Sequence, residues 1–70
     1  ATLEVYVNVE ARVFLDGEEV GRTREGYLRL EVPFGEHELT LVAPGYRTLV
    51  QTLQVSGDRV LRFQMVPLGR

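Results

Sequence analysis

The sequence predicts an all-β domain, an antiparallel β-sandwich of about seven short strands. Three observations lead to this prediction. Apolar and polar residues alternate in several runs of the 70-residue chain, the pattern of strands with one buried face. Turn sequences containing Gly or Pro separate these runs by about eight to twelve residues, a spacing typical of sandwiches and partly open barrels. Glycines interrupt every window long enough for a helix, at Gly21, Gly26, Gly35 and Gly45.

The first three predicted strands occupy the N-terminal third of the chain. Residues 3–10 alternate apolar and polar without a fault. Residues 12–15 then lead into Asp16-Gly17, which favours a type I′ hairpin because both central residues of that turn need positive φ. The returning strand, residues 18–21, is expected to point Val20 inward.

The other strands follow from the same pattern. They are predicted over residues 27–32, 37–42, 47–55 and 59–66, and residues 67–70 are expected to form a frayed end. Residues 47–55 would also suit a helix face, but the segment is short and rich in β-branched residues, which favours a strand. The side chains expected to point into the core are Leu28, Leu30, Val32, Leu39, Leu41, Leu61, Phe63 and Met65.

Length and charge limit the classes of function. Seventy residues allow one domain, over residues 1–70. The net charge of −2, with both signs interspersed, argues against nucleic-acid binding, which requires a basic surface. No apolar run reaches the roughly 18 residues needed to span a bilayer. The absence of Cys excludes disulfides, thiol catalysis and Cys-type zinc sites. All eight basic residues are Arg, which is typical of a GC-rich genome and suggests a thermophilic source. The sequence starts at Ala1 without Met, which fits a processed protein or a piece of a larger one.

No group of residues predicts catalysis, a metal or a cofactor. Glu36 and Glu38 would share one face of a strand while His37 takes the other, so the three cannot converge on a metal ion. Ser56 is the one Ser, and its place in a turn gives it no expected neighbour for a catalytic triad. The glycines near Gly17 belong to a hairpin rather than to a phosphate-binding helix start. We therefore predict no enzyme, no catalytic residues, no metal and no cofactor.

Two features point to interaction surfaces. Tyr6, Phe14 and Tyr27 lie on the polar phase of their strands, and they would form an exposed apolar patch if those strands were neighbours. Such a patch would contact a protein or a carbohydrate; the alternative is a minor core covered by the second sheet or a loop. The first strand lacks Pro, Lys and inward charge, so it could add to the edge of another copy. Its inward residues are Leu3, Val5, Val7 and Val9.

Three segments resemble the PEGA domain family. Residues 12–23 (RVFLDGEEVGRT) match its V-x-V/L-D-G-x-x-V-G-x-T core, residues 30–39 (LEVPFGEHEL) its L-x-V-P-x-G-x-H-x-L segment, and residues 43–46 (APGY) its Pro/Glu-Gly-Tyr turn. Their order and spacing agree over residues 5–66. The name-giving Pro-Glu-Gly-Ala is degenerate: residues 9–11 (VEA) stand in its place, so we expect a bulge or a continuous bent strand between the first two strands.

The resemblance implies a small, non-enzymatic β-sandwich found in bacterial or archaeal envelope and secreted proteins. We therefore expect a structural or protein-interaction module in an extracytoplasmic protein, with protein neighbours from its parent chain or other copies as partners. Two alternatives stay open. One is a subunit of an extracellular fibre or shell that assembles by β-strand addition, and the other is a module that binds carbohydrate or cell wall.

Overall fold

The computed structural model describes residues 1–69 and confirms an all-β sandwich of two sheets. Its strands are β1 Thr2–Val7, β2 Arg12–Leu15, β3 Glu18–Arg22, β4 Tyr27–Glu31, β5 Gly35–Val42, β6 Leu49–Val55 and β7 Arg59–Phe63. The segment predicted over residues 47–55 is therefore a strand rather than the alternative helix, and it begins at Leu49 rather than at residue 47. Across residues 1–69, no helix has the length and apolar character needed to cross a membrane.

The two sheets have different strand orders. The three-stranded sheet has the order β4-β1-β7, and the four-stranded sheet has the order β3-β2-β5-β6. Four of the five strand pairs are antiparallel, as predicted, whereas β1 and β7 run parallel. The chain crosses between the sheets after β1, β3, β4 and β6, so consecutive strands often lie in different layers.

The core lies between the sheets and follows the period-two pattern. Every strand except β3 contributes apolar residues of one phase. Their burial removes them from water and supplies the main stabilisation of a domain this small. The buried side chains are Leu3, Val5, Val7, Ala11, Val13, Leu30, Val32, Leu39, Leu41, Ala43, Leu53, Val55, Leu61 and Met65. The prediction for Leu30, Val32, Leu39, Leu41, Leu61 and Met65 is confirmed, and Leu28 and Phe63 pack at the margin.

Two tight turns share one geometry. Asp16 and Gly17 have φ of 52° and 88°, which confirms the type I′ prediction. Glu25 and Gly26 also have positive φ, 53° and 78°, and Arg24 and Tyr27 exchange two backbone hydrogen bonds around them. No tight turn was predicted at these residues, because Glu-Gly is a weaker hairpin indicator than Asp-Gly.

Thr23 links the connection between β3 and β4 to the connection between β1 and β2, two of the places where the chain crosses between the sheets. Its hydroxyl is fully buried, accepts a hydrogen bond from the Ala11 amide at 2.8 Å and donates to the Val9 carbonyl at 3.1 Å. The Thr23 amide in turn donates to the Ala11 carbonyl at 2.8 Å. The degenerate tetrapeptide is therefore a short crossover bound to the β3–β4 connection, neither a bulge nor a continuous strand.

Several predicted ends and directions are wrong. β1 ends at Val7 rather than extending to residue 10, since residues 8–10 carry the chain into the other sheet. Val20 is 43% exposed because the β2–β3 register shifts between Val13 and Phe14, which leaves Val20 in a bulge. The last strand ends at Phe63 rather than at residue 66.

The tail is also better ordered than expected up to Leu68. Pro67 forms a β-bridge with Tyr46, and the Leu68 amide donates to the Gly45 carbonyl at 2.9 Å. The prediction of a frayed end is therefore wrong for residues 67 and 68. Arg70 lies outside the described residues.

Candidate interaction surfaces

The first candidate site is the parallel pair formed by the first strand, β1, and the last strand, β7. β1 and β7 run parallel, with Leu3 opposite Arg59 and Val7 opposite Phe63. Two parallel strands at the start and end of a domain bring the chain in at one end and take it out at the opposite end. The molecule is elongated along one axis, with extents of 39 × 21 × 17 Å.

Asn8 extends this pairing beyond the last strand residues. Its side-chain amide donates to the Met65 carbonyl at 3.2 Å, and its side-chain carbonyl accepts from the Met65 amide at 2.7 Å. The Asn8 side chain therefore replaces a strand residue and holds residue 65, whose side chain is buried, in line with β1. Asn at the end of a strand reads as a turn former, so the sequence analysis had no reason to single it out.

The second surface is the outer face of the three-stranded sheet. Tyr6 and Tyr27 are directly opposite across β1 and β4, with ring centroids 5.0 Å apart and ring planes tilted by 51°. The Tyr27 hydroxyl donates to Glu4 at 3.1 Å. Burial of the ring, and then this hydrogen bond, raise the pKa of the Tyr27 phenol. On the other side, the Arg62 guanidinium lies 5.4 Å from the centre of the Tyr6 ring.

Phe14 does not belong to this surface. It lies on β2 in the four-stranded sheet, where the Arg12 guanidinium covers its ring at 5.1 Å. The expected patch of Tyr6, Phe14 and Tyr27 is therefore wrong as a group of three, because the crossover after β1 sends Phe14 to the other sheet. Arg62 could not be predicted as part of this surface, because its position beside Tyr6 depends on the parallel β1–β7 register.

The predicted assembly strand is not at an edge. β1 is the central strand of its sheet, and both of its backbone edges are occupied, by β4 and β7. The prediction that Leu3, Val5, Val7 and Val9 belong to a free strand is therefore wrong for the folded domain. The first three are core residues, and Val9 lies half-buried beyond the end of the strand.

The third surface is the free edge of the four-stranded sheet at β6. This strand pairs with β5 over seven consecutive residues without a register shift. Its sequence, LVQTLQV, contains no charged residue and no Pro. Natural edge strands usually carry such residues to prevent pairing with other chains. The sequence predicted that this segment is a strand. Its position at the edge of the four-stranded sheet follows only from the strand order.

His37 lies in a small polar cluster beside the first hairpin. Its Nδ1 is 2.6 Å from an Asp16 carboxylate oxygen, and its Nε2 is 2.9 Å from the Pro33 carbonyl oxygen. The hydrogen bond with Asp16, and then that with Pro33, raise the pKa of His37. The hydrogen bond from His37, and then that from the Glu38 amide, lower the pKa of Asp16. This cluster closes the turn and brings no nucleophile to the imidazole.

Across residues 1–69 there is no pocket and no group of three metal-ligating side chains. Ser56 lies in the bend after β6, and His37 lies on β5. Glu36 and Glu38 point to the face of β5 opposite His37.

Comparison with known proteins places the chain in a family. No curated protein matches it, and no solved structure matches it. The family model described as "PEGA domain" matches residues 2–68, which covers nearly the whole chain. PEGA domains are accessory domains not known as catalytic, and they are generally found in extracytoplasmic proteins. With the two-sheet sandwich and this match together, the chain belongs to the PEGA domain family.

Proposed function

We propose that this domain is a non-catalytic structural module that spaces its neighbours in a bacterial envelope or secreted protein and resists tension along its long axis. The observation that carries the proposal is the parallel pairing of β1 with β7. Within a larger protein, the direction in which the chain enters and leaves such a domain decides how the neighbouring parts are arranged.

The parallel pair gives the domain resistance to pulling. Tension on the two ends pulls β1 and β7 in opposite directions along the strand axis. The hydrogen bonds between the strands are evenly spaced, so they all bear the load together. In a hairpin pulled apart from its open end, by contrast, the bonds break one pair at a time. β1 is also held on its other side by β4 over five residue pairs, Thr2–Tyr6 against Tyr27–Glu31.

Single-molecule force spectroscopy tests this proposal. We expect a higher unfolding force when the domain is pulled through its two ends than when it is pulled through Glu36→Cys and Gln54→Cys. These two residues are partners near the open end of the β5–β6 hairpin, so the second geometry unzips that hairpin. The chain contains no Cys, so the attachment points are unique. An equal or lower force in the end-to-end geometry contradicts the proposal.

Asn8→Ala provides a second arm of the same experiment. The variant removes both hydrogen bonds to Met65, so the end-to-end unfolding force should fall. Gln64→Ala, an exposed change in the same C-terminal segment, is the matched control and should leave the force unchanged. If both variants unfold at the wild-type force, the Asn8 contact does not bear load.

A second candidate function is binding through the outer face of the three-stranded sheet. The observation that favours it is the adjacent pair of Tyr6, which is exposed, and Tyr27, which is half-buried, next to Arg62. Aromatic and Arg side chains are enriched where proteins bind. A protein neighbour fits this face better than a sugar ring, since the two Tyr rings are tilted and offer no flat platform. Carbohydrate or cell-wall polymer is the alternative ligand.

Titration with soluble cell-wall glycan fragments, followed by amide chemical shifts, separates these ligands. Carbohydrate binding predicts shifts around Tyr6 and Tyr27 and at least about tenfold weaker binding in Tyr27→Ala, a loss of about 1.4 kcal/mol. Phe14→Ala, on the other sheet, is the control. Unchanged sugar binding in Tyr27→Ala, or no shifts at this face, would remove the carbohydrate alternative.

A further inference from the structure

The edge strands of the two sheets are not equally protected. In the described residues the edges are β3, β4, β6 and β7. β3 carries Glu18, Glu19 and Arg22 and has a bulge. β4 carries Arg29 and Glu31, and β7 carries Arg59 and Arg62. Only β6 combines an uncharged sequence with seven residues in uninterrupted register, which makes it the edge best able to pair with another strand.

The backbone groups that β6 presents to solvent follow from its neighbour. On β5, the Glu38 carbonyl accepts from the Asp16 amide and the Glu38 amide donates to the Asp16 side chain, so both groups point toward β2. Glu38 is opposite Thr52, and this is therefore a non-hydrogen-bonded pair. By alternation, the amides and carbonyls of Val50, Thr52 and Gln54 point away from β5. The Gln54 carbonyl accepts from Arg59 at 3.3 Å, in agreement with this direction.

The β6 sequence is suited to pair with a second copy of itself. In an antiparallel pair centred on Thr52, Thr52 of one copy lies opposite Thr52 of the other. Val50 of each copy then lies opposite Gln54 of the other copy. The outward-pointing backbone groups then meet each other in three hydrogen-bonded pairs, six hydrogen bonds in all. In this register the core-facing side chains of the two copies lie on the same face of the joined sheet. Leu53 of one copy lies opposite Gln51 of the other, and Val55 lies opposite Leu49. Directly opposed Thr residues are a favourable cross-strand pair.

We propose that two copies of this chain associate through antiparallel pairing of their β6 edges about a two-fold axis at Thr52, which joins the two four-stranded sheets into one of eight strands. The contact is isologous, so it closes as a dimer rather than growing into a fibre. No charged residue lies within either strand at the interface. The proposal does not rest on tension resistance, since β6 and the β1–β7 pair belong to different sheets.

Arg59 opposes this association in the isolated domain. Its guanidinium donates a hydrogen bond to the Gln54 carbonyl oxygen. In the dimer, the same oxygen accepts a backbone hydrogen bond from the second copy. Dimerisation must displace this contact, so removing the Arg59 side chain should strengthen the dimer. This expectation is specific to β6, because an interface elsewhere gives Arg59 no such role.

A charge-exchange experiment tests the proposal by analytical ultracentrifugation of the full chain. The wild type should form a dimer of twice 7.9 kDa as its concentration rises. Thr52→Lys and Thr52→Glu each place like charges opposite one another and should weaken self-association at least about tenfold. Mixing the two variants should restore a dimer, now with opposite charges at the centre. Arg59→Ala should dimerise at lower concentration than the wild type.

Thr52 is exposed, so these variants should fold normally, and circular dichroism and thermal unfolding check that they do. Thr48→Lys, an exposed change outside β6, is the matched control and should dimerise like the wild type. A wild-type mass that stays at 7.9 kDa up to millimolar concentration overturns the proposal. A dimer that persists unchanged in Thr52→Lys, or a mixture of the two variants that stays monomeric, also overturns it.

Discussion

His37 contacts hydrogen-bond acceptors at both ring nitrogens, a carboxylate and a backbone carbonyl. A neutral imidazole has one donor and one acceptor, whereas the protonated ring donates from both nitrogens. The geometry is therefore satisfied by the imidazolium form, in agreement with the raised pKa of His37 and the lowered pKa of Asp16. The side chains of the two residues cross-link the β2–β3 turn to β5.

This pair makes the stability of the domain depend on pH. The raised pKa of His37 stabilises the fold fully below the ordinary value of 6.5, and this contribution is lost as the pH rises through the raised pKa. The lowered pKa of Asp16 stabilises the fold above its ordinary value of 3.8, and this contribution is lost as the pH falls through the lowered pKa. The contribution of the pair is therefore complete between these two ordinary values.

We expect the thermal midpoint of the wild type to decline as the pH rises above about 6.5, while His37→Gln lacks this decline. The measurement is thermal unfolding by circular dichroism from pH 3 to pH 9. Glu36→Gln, on the opposite face of the same strand, is the control and should keep the wild-type profile in that range. A wild-type midpoint that is flat from pH 6 to pH 9 would show that the His37 contacts do not contribute to stability.

At the scale of elements, the turn between β3 and β4 is held against β1 by a contact that only Gly allows. A Cβ built at Gly26 would lie 2.5 Å from the Val7 carbonyl oxygen, and the φ of Gly26 is +78°. The Gly26 carbonyl also accepts from the Val7 amide at 2.9 Å. The close approach lets the end of β1 bond to the turn where the chain enters the three-stranded sheet.

Gly26→Ala should therefore lower the free energy of unfolding by more than about 2 kcal/mol, from the combined clash and backbone strain. Gly57→Ala is a matched control, because its Cβ would meet no atom within 4 Å and its φ is not in the positive range. The control should stay within about 1 kcal/mol of the wild type. Urea denaturation measures both. A Gly26→Ala domain as stable as the control would mean that the Val7 contact can relax without cost.

At the scale of the whole molecule, we propose different roles for the two sheets. The three-stranded sheet contains the first and last strands, and it is the sheet that we propose carries tension between neighbouring parts of the protein. The four-stranded sheet presents β6, the edge that we propose for pairing with a second copy. Asn8 follows β1 of the three-stranded sheet, whereas Thr52 lies on β6 of the four-stranded sheet. A change at Asn8 should therefore lower the unfolding force and leave dimerisation unaltered, and a change at Thr52 should weaken dimerisation and leave the unfolding force unaltered.

Much of this architecture was predictable from local sequence. The alternating phases of β1, β4 and β5 identified which residues face the core, because burial requires one apolar side per strand. The Asp16-Gly17 turn was predictable because few residue pairs accept positive φ at both positions. The match of ordered motifs likewise predicted the family, which residues 2–68 confirm. A thermophilic bacterial source stays a prediction.

The neighbours of each strand were decided by the tertiary structure alone. Alternation shows which side of a strand is buried but carries no information on which strand lies beside it. The central position of β1, the separation of Phe14 from the Tyr pair and the free edge at β6 therefore depend on the crossovers between sheets. Val20 is exposed for a related reason, since the bulge arises from pairing with β2 and not from the β3 sequence itself. The sequence by itself determined the strands, the tight turn and the core faces, and tertiary packing decided which surfaces remain free for other molecules.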